Sequence, residues 1–483
     1  MISPLTAASE RWPEREALVC CEYSVSYREF TNLVSVTASY LSDKGIAKSE
    51  RVGILANNCH QYPILLHALW RIGAVACPIS VRLPHEAVAG MLDDIGCSAL
   101  VTMGGPFGMK WSSSIRRLDM AEVVSGRPDD SDDGLSEASS DVERLATVMF
   151  TSGTTNQPKG VLHTYANHYY SALGSNENIE VSPGDRWLLT LPLWHVGGLA
   201  ILFRTMLGGA AVVIDDPGDN LEAVIERNLI THLSLVATQL GRLLDQDLSQ
   251  GAADSLKAIL VGGSFVPERM ISEARNRGWP VGTTYGLTEM ASQVTTTAAR
   301  DSVSRLRTSG RLLNHREMRL APDGEILVRG RTLFKGYVRC GTDLISGRAG
   351  DGWFHTGDIG SLDAEGYLSV VGRMDNMFIS GGENIHPEEI ETALCCLLDV
   401  EEAVVVPISD DEFGWRPVAF VRFIEGAKLT RAEIFACLGG SLPRFKLPVR
   451  LYCWPDVQTD HALKIGREAF RRLAARPDLD EIN

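Results

Sequence analysis

Thr151, Ser152, Gly153, Thr154 and Thr155 form an unbroken run of hydroxyl and glycine residues, and Lys159 follows between Pro158 and Gly160. A run of this kind can wrap phosphate groups. Glycine lets backbone N–H groups approach, hydroxyls add donors, and a lysine neutralises charge. Ala146 to Phe150 is a short apolar stretch of strand formers, so the loop is expected to leave the end of a strand. Taken alone, a hydroxyl and glycine run is as often a plain turn as a phosphate loop. It is not the Gly-x-x-x-x-Gly-Lys-Ser/Thr loop, because Gly160 follows Lys159 and no helix-opening pattern comes next. That disfavours a P-loop phosphatase or kinase.

The stretch from Phe150 to Val161 resembles the phosphate loop of the acyl-adenylate-forming superfamily, the acyl-CoA synthetases and their relatives. One departure is visible: Asn156 stands where that family usually has glycine. Asn is the non-glycine residue best suited to a left-handed backbone, so the departure is mild. Further segments follow in the family's order, and the resemblance covers nearly the whole chain. Tyr285-Gly286-Leu287-Thr288-Glu289 is similar to the adenylate motif. The resemblance implies that Tyr285 stacks near adenine, Thr288 contacts the α-phosphate and Glu289 holds Mg²⁺. A carboxylate beside phosphates is repulsive unless a cation lies between them, which fits that role. Gly262, Gly263 and Ser264 resemble the glycine turn along which adenine lies. In Trp353-Phe354-His355-Thr356-Gly357-Asp358, Asp358 is implied to bind the ribose hydroxyls, with Arg373 as a second ribose or phosphate contact. Asp375 falls at the family's hinge, and Gly381-Gly382 matches the glycines that line the channel for the pantetheine arm of coenzyme A. Lys464, preceded by Leu463 where glycine is usual, matches the lysine that bridges the substrate carboxylate and the α-phosphate. The alternative for Lys464 is an ordinary surface lysine.

Blocks between these motifs resemble 2-succinylbenzoate–CoA ligases, enzymes of the menaquinone or phylloquinone pathway. They include Asn167 to Ala172, Leu191 to Leu199, Leu235 to Leu240 and Gly330 to Tyr337. The implied acid has two carboxylates, only one of which is activated, so the pocket needs a cation for the other. Arg204 lies in the apolar run Leu199 to Phe203 and is the candidate; a helix arginine facing solvent is the alternative. His195 is implied at the wall between acyl pocket and nucleotide. Ser292 and Gln293 are candidates for bonds to the acid's keto or carboxylate oxygens. The implied reaction is AMP-forming ligation of an acid to coenzyme A, with ATP and Mg²⁺ as cofactors. Two rivals stay open: a ligase for another aromatic or medium-chain acid, and a nucleotide-binding protein that has lost catalysis.

These residues need a scaffold, and the chain is long enough for one. Its 483 residues exceed a single compact core, so at least two domains are expected. Residues 15–100 and 185–300 alternate strand-like and helix-like segments, the rhythm of an α/β sheet. Residues 310–372 read as a small antiparallel β region, and about 110 further residues suffice for a small mobile α+β domain. The expected division is therefore 1–374, an adenylate-forming N-terminal domain, and 375–483, a C-terminal cap. An acidic run at 125–141 reads as a surface loop. Strands are predicted at Trp187–Leu191, Ala210–Ile214, Leu233–Val236 and Ala258–Val261, and helices at 221–228 and 267–277.

Hydrophobic content of 45% and charged content of 22% describe an ordinary globular protein. A net charge of −15 argues against nucleic acid or an anionic membrane as a partner. The ten cysteines lack Cys-x-x-Cys spacing, which favours reduced thiols over zinc or a disulfide framework. The start of the chain lacks the pattern of a signal peptide, and the apolar stretches are broken by residues such as His67 and Arg71. A cytoplasmic protein that does not span a membrane is expected, and the family's frequent dimers make a homodimer a candidate.

Overall fold

The structure is a computed structural model that describes residues 3–20, 23–104, 115–124, 141–151, 158–215, 220–246, 248–299, 301–339, 343–347, 349–439, 441–455, 467–476 and 479–482. Ser152, Gly153, Thr154, Thr155, Asn156, Lys464 and most of the acidic 125–141 run lie outside these residues. The chain divides into two compact units. One comprises Met1–Ser264, Ala274–Met318 and Val328–His355; the other comprises Phe265–Glu273, Arg319–Leu327 and Thr356–Asn483.

The first unit holds two large sheets. The nine-stranded sheet runs in spatial order Arg311–Leu312, Ser292–Thr296, Val281–Leu287, Ala258–Val261, His232–Leu235, Arg186–Leu188, Ala211–Ile214, Glu16–Cys20 and Tyr23–Ser26. From Val281–Leu287 to Glu16–Cys20 its neighbours are parallel, and the remaining pairs at its two ends are antiparallel. Central parallel strands are covered on both faces and therefore read as apolar runs. His232–Leu235 and Ala258–Val261 accordingly bury every residue. The eight-stranded sheet runs Asp343–Ile345, Gly336–Arg339, Lys159–Thr164, Leu145–Thr151, Val75–Ile79, Arg51–Leu55, Ala99–Thr102 and Arg116–Asp119.

Two helices matter for the site. Tyr165–Asn176 begins directly after a strand, because Thr164 and Asn167 form a reciprocal cap: each side chain accepts from the other's backbone N–H. Val196–Gly208 is apolar almost all round, as expected of a helix enclosed by other elements. Phe203 on this helix packs its ring against Trp70 and Tyr165, each with centroids 5.1 Å away. The helix ends at Gly209 in a left-handed conformation.

In the second unit, Val400–Asp410, Gly414–Phe423 and Arg450–Cys453 form a three-stranded sheet. Helices Pro387–Cys395 and Arg431–Leu438 contribute Ile390, Leu394, Ile434 and Leu438 to the apolar core on that sheet. Phe354–Leu362 pairs antiparallel with Leu368–Arg373. Helix Arg467–Ala474 is tied down by Arg467, which bonds Glu388 at 2.9 Å and also Glu391.

Most predicted elements match within one or two residues. The exception is the strand expected at Trp187–Leu191, which stops at Leu188. Leu189 N still bonds Val213 O, but the Thr190 hydroxyl turns to Ser234 O and Pro192 has no N–H to continue the ladder. The eight described cysteines are free thiols. Among the described residues no helix is long and apolar enough to cross a membrane.

Tyr27 locks the helix Tyr27–Asp43 to the sheet: its buried hydroxyl donates to Ala210 O at 2.6 Å, with Thr205 O at 3.2 Å. Tyr27→Phe should cost about 1–2 kcal/mol and lower the urea midpoint followed by tryptophan fluorescence. An unchanged midpoint would show that this bond does not hold the helix.

Candidate active site

Residues from four parts of the first unit meet around Glu289. Leu145–Thr151 and Lys159–Thr164 are antiparallel partners, with Thr151 opposite Lys159, so the phosphate-loop run joins the two strands of a hairpin. Thr151 is half-buried and Lys159 exposed at its root. Lys159 Nζ lies 5.4 Å from the ring centre of Tyr337, and the Tyr337 hydroxyl donates to Glu289 Oε1 at 2.7 Å. Glu289 is anchored through its backbone too, since its carbonyl accepts from Phe334 N at 2.8 Å. The structure thus brings together the loop lysine and the metal-binding candidate, linked by a tyrosine to which sequence reasoning gave no role.

Tyr285, Thr288 and Glu289 are each half-buried, at the end of Val281–Leu287 and in the single turn that follows. The turn is tight. A Cβ on Gly286 would come 2.2 Å from Ser292 O, so only glycine lets the next strand cross there. Ala291 and Ser292 then take positive φ values of 52° and 117°, strained for residues with side chains.

The Thr288 carbonyl accepts from His163 Nε2 at 2.7 Å. Behind it, Thr147 Oγ1 lies 2.8 Å from His168 Nε2 and 3.5 Å from His163 Nδ1. Burial pushes the His163 pKa down to about 4, and holds that of His168 well below its ordinary value. Both rings are therefore neutral in the folded protein, with the His163 proton on Nε2. No sequence signal singled out His163, which lies in a strand buried from Gly160 to Thr164.

Arg204 is 1% exposed, not solvent-facing. Its Nη2 donates to Gln293 Oε1 at 2.8 Å and approaches Ser292 Oγ at 3.3 Å. Its guanidinium lies 5.3 Å from the Trp187 ring centre, and its buried Nε has no partner among the described residues. Burial pushes its pKa down to about 9, which still leaves it charged at neutral pH. Gln293 is fully engaged: its Nε2 donates to Thr296 Oγ1 at 2.6 Å. Ser292 and Gln293 therefore face Arg204 in this structure. His195 is exposed and precedes the first turn of the Val196–Gly208 helix. Gly262, Gly263 and Ser264 follow the strand Ala258–Val261, with Gly263 at φ 85°.

The second unit assembles its own cluster. Arg373 Nη1 donates to Asp358 Oδ1 and Nη2 to Asp375 Oδ2, both at 3.0 Å. Partial burial opposes the Arg373 charge, but the two carboxylates outweigh it and hold its pKa up. Asp358 is placed by its neighbours: its N–H donates to Thr356 Oγ1, whose hydroxyl bonds Ile326 O. Gly381 and Gly382 are exposed, with φ of 56° and 89°. A Cβ on Gly381 would lie 2.7 Å from the Phe413 ring.

Among the described residues no group of three or more His, Cys, Asp or Glu could hold a metal ion by itself. Glu289 fits the other way of holding Mg²⁺, in which one or two carboxylates share the ion with substrate phosphates and water.

Two large sheets frame a site in which Tyr337 stands between Lys159 and Glu289, and the chain belongs to the AMP-binding enzyme family. That family's model matches residues 5–338, and the model for its C-terminal domain matches residues 389–462. Among curated relatives, a 2-succinylbenzoate–CoA ligase of Geobacillus kaustophilus is 34% identical over 96% of both chains. The same enzyme of Bacillus pumilus is 32% identical over 98% of this chain and 97% of its own. Among solved structures, o-succinylbenzoate CoA synthetase (MenE) from Bacillus subtilis with its acyl-adenylate intermediate OSB-AMP has a TM-score of 0.87, at 29% identity and 99% coverage of both chains. The same enzyme with ATP and magnesium ion gives 0.81, at 29% identity, covering 93% of this chain and 95% of that one.

A neutral buried histidine has a definite pH signature. The unfolded chain takes up a proton near pH 6.5, while folded His163 does so only near pH 4. The stability it carries is whole above pH 6.5 and is lost as pH falls toward 4. Chemical denaturation should show a loss on the order of 2 kcal/mol from this group between pH 7 and pH 5. His163→Phe should flatten that dependence and lower the adenylation rate by freeing Thr288. An unchanged pH slope would show that His163 is not held neutral.

Proposed function

We infer that this enzyme joins 2-succinylbenzoate to coenzyme A at the expense of ATP, through an acyl-adenylate, releasing AMP and diphosphate in menaquinone or phylloquinone biosynthesis. The observation that carries the choice of acid is Arg204. It is a buried guanidinium that no carboxylate of the described residues pairs, held instead by the neutral amide of Gln293. A buried cation without a counter-ion is costly, and an anionic ligand offsets that cost. The second carboxylate of 2-succinylbenzoate is such a ligand, while its succinyl carboxylate is left for activation.

Adenylation begins when the succinyl carboxylate attacks the α-phosphate of ATP in line, expelling diphosphate. In the proposed assignment Thr151, Ser152, Gly153, Thr154, Thr155 and Lys159 hold the phosphates, and Thr288 and Lys464 stabilise the charge at the reacting phosphate. Mg²⁺, held by Glu289, supplies Lewis-acid neutralisation of phosphate charge when bound. Tyr285 and the 262–264 turn receive adenine, Asp358 and Arg373 the ribose, and His195 separates nucleotide from acid. His163 keeps the backbone of Thr288 in place from behind. In the second step the CoA thiol attacks the acyl carbonyl and AMP leaves. We place the adenylate-forming domain at 1–374 and the cap at 375–483, turning at Asp375 between the steps so that Gly381 and Gly382 line the thiol's path. A homodimer in the cytoplasm completes the proposal, and light scattering of purified protein tests the dimer.

Mass spectrometry of protein incubated with MgATP, CoA and 2-succinylbenzoate should show AMP and the CoA thioester together, both dependent on the acid. Products only with other acids would discard the substrate and keep the chemistry; none with any acid would discard the ligase. Arg204→Leu should raise KM for 2-succinylbenzoate by about tenfold to a hundredfold, the cost of losing one charged hydrogen-bonding partner. Unchanged KM would remove the arginine from the account. Asp375→Pro should leave diphosphate release intact and slow thioester formation; equal effects on both steps would contradict the pivot.

A further inference from the structure

A second arginine stands behind Arg204. Arg316, in the strand Arg316–Leu320, is 5% exposed, and no carboxylate of the described residues forms an ion pair with it. Its Nε donates to Gln293 O at 2.6 Å, Nη1 to Asn314 O at 2.6 Å, and Nη2 to Ser171 O at 2.9 Å and Ser171 Oγ at 3.2 Å. Ser171 Oγ in turn donates to Ala291 O at 2.7 Å. One guanidinium thus grips both ends of Ala291-Ser292-Gln293, directly at Gln293 and through Ser171 at Ala291. This tripeptide contains the two strained positive-φ residues, and its Ser292 and Gln293 side chains meet Arg204. Burial first, and the charge of Arg204 second, push the Arg316 pKa down to about 9, while the charge of Glu177 opposes the shift.

Two like charges have been buried around one glutamine. A structural clamp alone needs donors but no charge, and a neutral donor would avoid the repulsion between the guanidiniums. The arrangement becomes favourable when an anion enters beside Arg204, because both cations then act on it through a medium of low dielectric.

We propose that Arg316 is a positioning and specificity-determining residue for the second carboxylate of the acid: it fixes Ala291-Ser292-Gln293, hence the orientation of Arg204, and adds positive potential to the acyl pocket. The proposal rests on the assignment of Arg204 to that carboxylate. Arg316 touches neither the nucleotide-binding candidates nor Glu289 in this structure, so its direct contacts lie on the side of the acid. A lysine could keep the charge but not the three-way grip, because its single ammonium cannot reproduce the planar fork of donors.

The test compares 2-succinylbenzoate with 3-benzoylpropionate, the same acid without the ring carboxylate, in steady-state assays of AMP release. The wild-type enzyme should prefer the dicarboxylate; absence of that preference would overturn the underlying reading, whatever Arg316 does. Given that preference, Arg316→Met should raise KM for 2-succinylbenzoate about tenfold, leaving KM for ATP and for 3-benzoylpropionate near wild type. Arg316→Lys should give a smaller shift in the same direction. Equal changes for both acids, or none, in a variant with wild-type thermal stability would overturn the proposal. Should Arg316→Met not fold, the Arg316→Lys selectivity decides: a shift against the dicarboxylate supports the proposal and an unaltered ratio overturns it.

Discussion

The bond from Arg204 to Gln293 is the contact on which the reading of this enzyme depends. It keeps a charged group between the apolar helix Val196–Gly208 and the sheet, where a lone guanidinium would be unfavourable by several kcal/mol. The surroundings are organised to allow it. Gln293 is held by Thr296 and by Arg316, Trp187 offers its ring face, and the Ala291–Ser292 backbone adopts strained dihedrals so that both side chains turn inward. Strain retained next to a buried charge that no carboxylate of the described residues pairs supports the proposal of a ligand site here.

The same turn serves the nucleotide side. Glu289 and Ser292 are three residues apart, so one short segment carries the metal-binding candidate and a contact of Arg204, the arginine proposed to meet the acid. His163 fixes the turn through the Thr288 carbonyl, Tyr337 fixes Glu289, and Ser171 fixes Ala291. In the proposed assignment acid and phosphate thereby meet on one rigid element. In-line attack needs reacting atoms held close together, and a shared rigid turn is an economical way to supply that.

Much of this was legible in the residues. The phosphate-loop hairpin follows from an apolar strand, a hydroxyl and glycine run and a second strand, and the parallel sheets follow from short apolar runs spaced by helices. Their bounds hold because glycine, proline and capping residues mark them, as at Thr164 and Gly209. The supporting layer was not legible. Arg316 was given no role from the sequence, since an arginine is ordinarily exposed; the pairing of distant segments buries it against Gln293 and Ser171. Ser292 and Gln293 read as substrate contacts because their side chains suit carboxylate oxygens; their bonds to Arg204 were not legible in the sequence. Sequence left Arg204 between pocket and solvent, and burial removes the solvent alternative.

In the proposed mechanism a buried arginine pocket selects a dicarboxylate at the adenylation step. ATP–diphosphate exchange without CoA isolates that step. Exchange should depend on added 2-succinylbenzoate and fall by at least about tenfold when 3-benzoylpropionate replaces it at equal concentration. Equal exchange with the two acids would contradict the claim, because the buried charge would then play no part in choosing the substrate.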